Sequence, residues 1–155
     1  MNMKADSFMA VLKALHVYGV DYILVGGWAV ILHGVPRVTE DLDIFIKRGP
    51  ANLEKLKKAL RSVFNDESIE EITDDDLMNY PVVRYGTPED YYIDIMDRIG
   101  EAFKYEDLAY EVLESQGIPI KVATIETLIK LKSGTIREID KADVILLREK
   151  VMKEK

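Results

Sequence analysis

With 155 residues the chain suits one domain on one buried core, and residues 1 to 155 are read as that single domain. Its 48% apolar and 32% charged residues exclude a disordered chain, and the lack of cysteine excludes disulfides and thiolate zinc sites and fits a reducing, cytoplasmic compartment. A formal net charge of −7 argues against an extended nucleic-acid surface; no apolar run approaches the ~18 residues of a membrane span, and the amino-terminal segment lacks a signal-peptide cleavage site.

Residues 7 to 18 carry Phe8, Val11, Leu12 and Leu15 at helical spacing, with Asp6 or Ser7 to cap the start and Gly19 to end it. "DYILV", 21 to 25, is a short apolar strand. Gly26 and Gly27 follow at once, and "WAVILHG" is a short helix closed by Gly34. "LDIFIK", 42 to 47, is a second strand. "GPANLEKLKKALRSVF" is a helix, with Pro50 in its first turn and Leu53, Leu56, Leu60 and Phe64 along one face.

"ESIEEI" reads as a strand and "TDDDLMN" as a capped helical turn. "PVVRYG" and "YYIDIM" flank "TPED", which carries Pro88 where a type I turn wants it, so they predict an antiparallel hairpin. "EAFKYEDLAY" reads as helical. "YEVLES" and "IPIKVA" around "QG" predict a second hairpin. Two closing helices follow, with Thr124 as a cap and Gly134 between them. The order predicts an α+β fold: a small mixed sheet with helices mainly on one face, plus carboxy-terminal helices.

Three features carry chemistry. Asp41 and Asp43 are two apart at the edge of an apolar strand, so they share a face while Leu42 and Ile44 point into the core. Two carboxylates about 4 Å apart repel by ~4 kcal/mol at an effective dielectric near 20. A hard divalent cation such as magnesium relieves that repulsion. The plain alternative is a solvated strand edge, since 14 aspartates make a chance Asp-x-Asp common. For Asp74 to Asp76 the plain reading wins, because aspartates after Thr73 suit the start of a helix. Second, Gly26 and Gly27 sit where a buried strand turns into a helix, a junction with free backbone N–H groups that an anion can approach closely; the alternative is a tight turn. No Lys-Ser or Lys-Thr follows, so it is not a Walker loop. Third, Asp94 falls mid-strand. A buried, unpaired carboxylate is costly, and a cation or a basic side chain would remove the cost. That makes Asp94 a third ligand or a base, while Asp97, one residue past the strand, reads as a turn or cap residue.

"VGGWAVILHGVPRVTEDLDIFI" resembles the signature of the DNA polymerase β-like nucleotidyltransferase superfamily: Gly-Gly or Gly-Ser, a short helix, then Asp-x-Asp between hydrophobic residues. Thirteen residues separate Gly27 from Asp41, and this spacing is similar to the branch of AbiEii toxins and lincosamide nucleotidyltransferases. "YYIDIMDRI" and "IPIKVATIETLIKLKSGTIREIDKADVILL" continue the resemblance over roughly residues 21 to 147. The resemblance implies that Gly26 and Gly27 hold a nucleoside triphosphate, that Asp41 and Asp43 bind two magnesium ions, and that Asp94 ligates one and helps deprotonate an acceptor hydroxyl. That hydroxyl attacks the α-phosphate and pyrophosphate leaves. Trp28 stands where many relatives carry a small residue, and is weighed as core against a role in shaping the loop.

Arg37 and Thr39 lie between the helix and the acidic strand; Arg37 reads as a phosphate contact or as a salt bridge. Lys132 and Arg137 read as a basic pair near the phosphates or as helix-end pairing, with Arg137 and Asp140 one turn apart; Lys132 is taken as functional, Asp140 and Asp143 as structural. Glu40 reads as a solvated rim residue. His16 and His33 lack ligand-spaced partners, and Tyr85, Tyr91 and Tyr92 read as cross-strand packing rather than base stacking. The expected function is magnesium-dependent transfer of a nucleotide to a hydroxyl of a small molecule or a protein. With no second domain to hold the acceptor, a partner subunit or a homodimer is expected to complete the site. The competing reading is a nucleotidyltransferase-fold binding module of a toxin–antitoxin pair or a scaffold. A polymerase-like role is disfavoured by the acidic balance.

Overall fold

The computed structural model describes residues 3 to 101, 103 to 132 and 138 to 154, with side chains over 6 to 101, 103 to 132 and 142 to 152. Helix α1 (Met3–Val17) leads into strand β1 (Tyr22–Val25), which passes directly into helix α2 (Gly26–Leu32). Strand β2 (Asp41–Ile46) and helix α3 (Pro50–Val63) follow, then helix α4 (Asp74–Asn79) and the hairpin of β3 (Val83–Gly86) and β4 (Tyr92–Met96). A two-strand ribbon, β5 (Arg98–Ile99) with β6 (Phe103–Lys104), precedes a second hairpin of β7 (Tyr110–Ser115) and β8 (Ile118–Ala123). Helices α5 (Ile125–Lys132) and α6 (Glu138–Glu154) close the order and pack on each other.

Six strands form one mixed sheet in the order β3-β4-β2-β1-β8-β7. The central strands are almost wholly apolar on the core side: Leu42, Ile44, Ile93 and Ile95 are fully buried. Strand alternation then sends Asp41, Asp43 and Asp94 to the other side. Register completes the placement. Val25 lies opposite Asp43 across the antiparallel β1–β2 pair, Asp43 opposite Asp94 across the parallel β2–β4 pair, and Asp94 opposite Arg84 across the antiparallel β3–β4 pair. One row across four strands therefore carries Val25, Asp43, Asp94 and Arg84.

Asn52 ties this region to α3. Its side-chain amide donates to the carbonyls of Asp21 and Lys47 at 3.0 and 2.8 Å, and its oxygen accepts from the Asp21 N–H at 2.8 Å. The entry to β1 and the exit of β2 are thus held by one buried side chain, which satisfies backbone groups the strand ends would leave open. The caps expected at Thr73 and Thr124 form, with Thr73 Oγ1 accepting from the Asp76 N–H and Thr124 Oγ1 from the Thr127 N–H.

Two expectations are corrected. Residues 67 to 72 are not a strand: Glu67–Glu71 is a 3₁₀ helix, capped by the Asp66 carboxylate accepting from the Ser68 N–H. Its buried residue Ile69 and the buried Ile72 that follows it are three apart, the period of a 3₁₀ turn rather than of a strand. Residues 103 to 107 are not an α-helix. Phe103–Lys104 pairs with Arg98–Ile99, and Tyr105–Asp107 is a 3₁₀ turn held by Asp107 accepting from the Lys104 N–H at 2.9 Å. A local side-chain bond here offers the backbone an alternative to a helix. Gly134 and Arg137 lie outside the described residues, as does the side chain of Asp140.

Candidate active site

A cleft of about 550 Å³ opens over the row of acids, where β1 turns into α2. Gly26, Gly27, Arg37, Thr39, Asp41, Asp43, Asp94 and Lys132 all line it. Eight residues singled out from the sequence for metal or nucleotide thus meet at one place, while Arg137 lies outside the described residues.

Gly26 has φ +72, a left-handed conformation that only glycine adopts at low cost, and a Cβ there would sit 1.9 Å from Asp43 Oδ2. At Gly27 a Cβ would meet Thr39 Oγ1 at 2.7 Å and Arg37 Nη1 at 2.9 Å. Both glycines are therefore required by close approach, and what approaches is the acidic strand on one side and the Arg37–Thr39 loop on the other.

Asp43 stands beside Asp94 in register, with Asp41 on the same face two residues back. Its carboxyl is pushed up to about 7, by burial first, then by the negative charges of Asp94 and Asp41, while Lys132 pulls it the other way. Asp94 is buried and its cost is met by a basic side chain. Arg84 donates from Nε to Asp94 Oδ1 at 2.8 Å and from Nη2 to Oδ2 at 3.1 Å, and Nη2 reaches Asp41 Oδ2 at 3.5 Å. Arg84 was not singled out in the sequence. A four-residue Thr87–Asp90 turn would set Arg84 opposite Ile93; instead the Thr87 N–H donates to the Tyr91 carbonyl and Asp90 is left-handed at φ 64, and this one-residue shift is what brings Arg84 opposite Asp94.

Behind the cleft-lining Arg37 and Lys132, Asp143 of α6 is buried and holds both cations. Arg37 Nη1 lies 2.8 Å and Lys132 Nζ 3.1 Å from its Oδ2. Arg37 is therefore both salt-bridged and present in the cleft, and Asp143 keeps two positive groups on the side of the cleft nearest Gly27. Glu40 is an exposed rim residue, as expected.

Several residues fall elsewhere. Asp97 lies at the bend between β4 and β5, one residue past the strand as expected, and is buried and paired with Arg48 Nε at 2.9 Å and Arg98 Nη1 at 3.1 Å. Tyr85 donates to Asp66, and the Tyr91 hydroxyl meets Ser7 Oγ at 2.7 Å. Tyr92 is exposed, with Arg84 over its ring. Trp28 packs against the core with its ring centroid 4.6 Å from that of Phe8. His33 Nε2 meets the Ala123 carbonyl at 2.7 Å, and His16 is exposed on α1.

The sequence of residues 10 to 133 matches the family model described as the nucleotidyl transferase AbiEii toxin of type IV toxin–antitoxin systems. The chain belongs to the AbiEii nucleotidyltransferase family. Its fold is shared by solved nucleotidyltransferases. The lincosamide antibiotic adenylyltransferase LnuA, bound to lincomycin, superposes with a TM-score of 0.65 at 17% identity, over 96% of this chain and 98% of LnuA. ANT(2″)-Ia in complex with adenylyl-2″-tobramycin gives 0.58 at 13% identity, over 99% and 92%. A nucleotidyltransferase from Thermotoga maritima gives 0.54 at 17% identity, over 97% and 93%. No curated protein matches the chain at a significant level.

The donor set of this AbiEii-family chain fits a hard divalent cation. It offers carboxylate oxygens only, on one sheet face, and burial together with the neighbouring acids pushes the Asp43 carboxyl up to about 7. Among the described residues no three acidic or imidazole side chains converge on one point; Asp94 is engaged by Arg84 instead. Also among the described residues, no helix is long and apolar enough to cross a membrane.

Proposed function

We propose that the chain is a magnesium-dependent nucleotidyltransferase that moves a nucleoside monophosphate from a nucleoside triphosphate to a hydroxyl of a small molecule or a protein. The observation that carries this reading is the register of Asp43 beside Asp94, with Asp41 on the same face and Gly26 against Asp43. Asp41, Asp43, Asp94 and a glycine turn share one cleft with Arg37, Arg84 and Lys132.

Asp41, Asp43 and Asp94 would hold two magnesium ions. When bound, the ions neutralise charge on the attacking and leaving oxygens. The chain's own residues do the rest. Gly26 and Gly27 let Asp43 and the Arg37–Thr39 loop close against the turn, so that these side chains line the cleft the triphosphate would enter. Arg37 and Lys132, held by Asp143, put positive charge beside it, and Thr39 sits next to Gly27 with a hydroxyl. Asp94 takes the proton of the acceptor hydroxyl. The hydroxyl oxygen bonds to the α-phosphorus, the bond to the bridging oxygen breaks, and pyrophosphate leaves. Most of the catalysis in such a site is positioning and charge stabilisation.

The test is incubation with magnesium, each α-labelled nucleoside triphosphate in turn, and lysate, reading label on small molecules and proteins. Transfer by the wild type that is lost in Asp43→Asn supports the reading. Label transfer that survives Asp43→Asn, or none with any triphosphate, overturns it.

A further inference from the structure

We propose that Arg84 is the site's built-in counter-ion: it neutralises Asp94 and Asp41 in the metal-free protein and must release them before a divalent cation takes their oxygens. It is a positioning residue that sets how tightly the cleft binds metal. This rests on the carboxylate site proposed above.

The guanidinium engages both oxygens of Asp94, one through Nε at 2.8 Å and the other through Nη2 at 3.1 Å. The same Nη2 touches Asp41 Oδ2 at 3.5 Å. One planar cation thus spans two of the three carboxylates and covers the oxygens Asp94 would offer to a metal. A two-pronged arginine–carboxylate pair is among the stronger polar contacts a protein makes. It is needed here because the Asp94 side chain is only 10% exposed and water cannot do the work.

Arg84 itself is placed to leave. Its side chain is 53% exposed, on a strand at the sheet edge. Its guanidinium carbon lies 4.5 Å from the centroid of the exposed Tyr92 ring, a surface on which the cation can rest without a carboxylate. A divalent cation on those oxygens and a guanidinium lying across both of them repel each other. The two therefore compete.

A salt bridge that merely closes the β3–β4 hairpin predicts the opposite sign. Removing it would loosen β4, misplace Asp94 and weaken metal binding. Removing a competitor strengthens it.

The experiment titrates manganese alone, without nucleotide, into wild type, Arg84→Met, Arg84→Lys and Asp43→Asn by calorimetry at fixed pH and ionic strength. Arg84→Met is expected to bind on the order of tenfold more tightly than wild type, and to melt at a lower temperature without metal. Arg84→Lys, which keeps the charge but not the fork, is expected to fall between. Unchanged or weaker binding by folded Arg84→Met overturns the proposal; should that variant fail to fold, unchanged or weaker binding by Arg84→Lys does the same. Asp43→Asn separates the two levels. Binding that requires Asp43 but ignores Arg84 overturns the counter-ion role alone. Binding indifferent to Asp43, or none in any variant, removes the carboxylate site and the counter-ion role with it.

Discussion

Gly26 and Asp43 are in contact at the junction of β1 and α2: a Cβ on Gly26 would lie 1.9 Å from the Asp43 carboxylate oxygen. The glycine is needed twice, for this approach and for its φ of +72. Gly26→Ala is expected to destabilise the protein by more than the ~1–2 kcal/mol that a left-handed residue costs by itself. Adding Asp43→Ala should recover the clash but not the backbone cost. Urea unfolding of the single and double variants checks this; equal loss in both would mean that Asp43 moves aside freely.

Asp43 titrates near neutrality, and the sign of the consequence is definite. Below pH about 4 the carboxyl is protonated in the folded and unfolded chain alike. As pH rises from about 4 to about 7 the unfolded chain loses that proton and the folded chain keeps it, so this group's contribution to stability falls, and levels off above 7. Each pKa unit is worth about 1.4 kcal/mol. Asp43→Asn should therefore be more stable than wild type at pH 8 and no more stable at pH 4, roughly the two ends of that window. Magnesium must displace the proton, so its stabilising effect on wild type should grow as pH rises through 7, and should be mostly lost in Asp43→Asn. Melting curves with and without magnesium at three pH values decide it.

Asp94 and Asp97 are three residues apart and do different work. Asp94→Asn is expected to abolish label transfer, since it removes a carboxylate beside Asp43. Asp97→Asn lies outside the cleft and removes the charge that Arg48 and Arg98 share. It should lower the melting temperature yet keep most transfer per folded molecule. Transfer assays scaled to the folded fraction test the pair, and the reverse order would move the third carboxylate to Asp97.

Asp143 holds Arg37 and Lys132 from a buried position. Breaking a buried pair by removing one partner costs about 3–5 kcal/mol. Asp143→Asn keeps the shape and loses the charge, so it is expected at the lower end of that range. It should also weaken triphosphate binding, because the two cations lose their anchor. Calorimetry with a non-hydrolysable triphosphate reads this; tighter binding would show that Asp143 competes with phosphate instead of positioning its partners.

The Asp-x-Asp strand, the Gly-Gly turn and Asp94 were legible in the sequence because their geometry is local. Alternation alone puts Asp41 and Asp43 on one face, and a hairpin turn alone puts Asp94 mid-strand. The helices with apolar stripes, α1 and α3, and the two hairpins were legible for the same reason. Residues 67 to 72 and 103 to 107 were not. Short segments with few apolar residues carry too little periodicity to separate a strand from a 3₁₀ turn, and one side-chain bond, from Asp66 or Asp107, settles the backbone. Tertiary structure alone decided who pays the charge cost in the cleft. Arg37 and Asp143 are 106 residues apart, and nothing local says they meet. Arg84 takes Asp94 because the hairpin puts them in register and burial leaves Asp94 without water, while Asp43, buried among acids, has its carboxyl pushed up to about 7 instead. Which of several carboxylates is paired, and which is protonated, depends on desolvation and on neighbours across the sheet, and those exist only once the chain has folded.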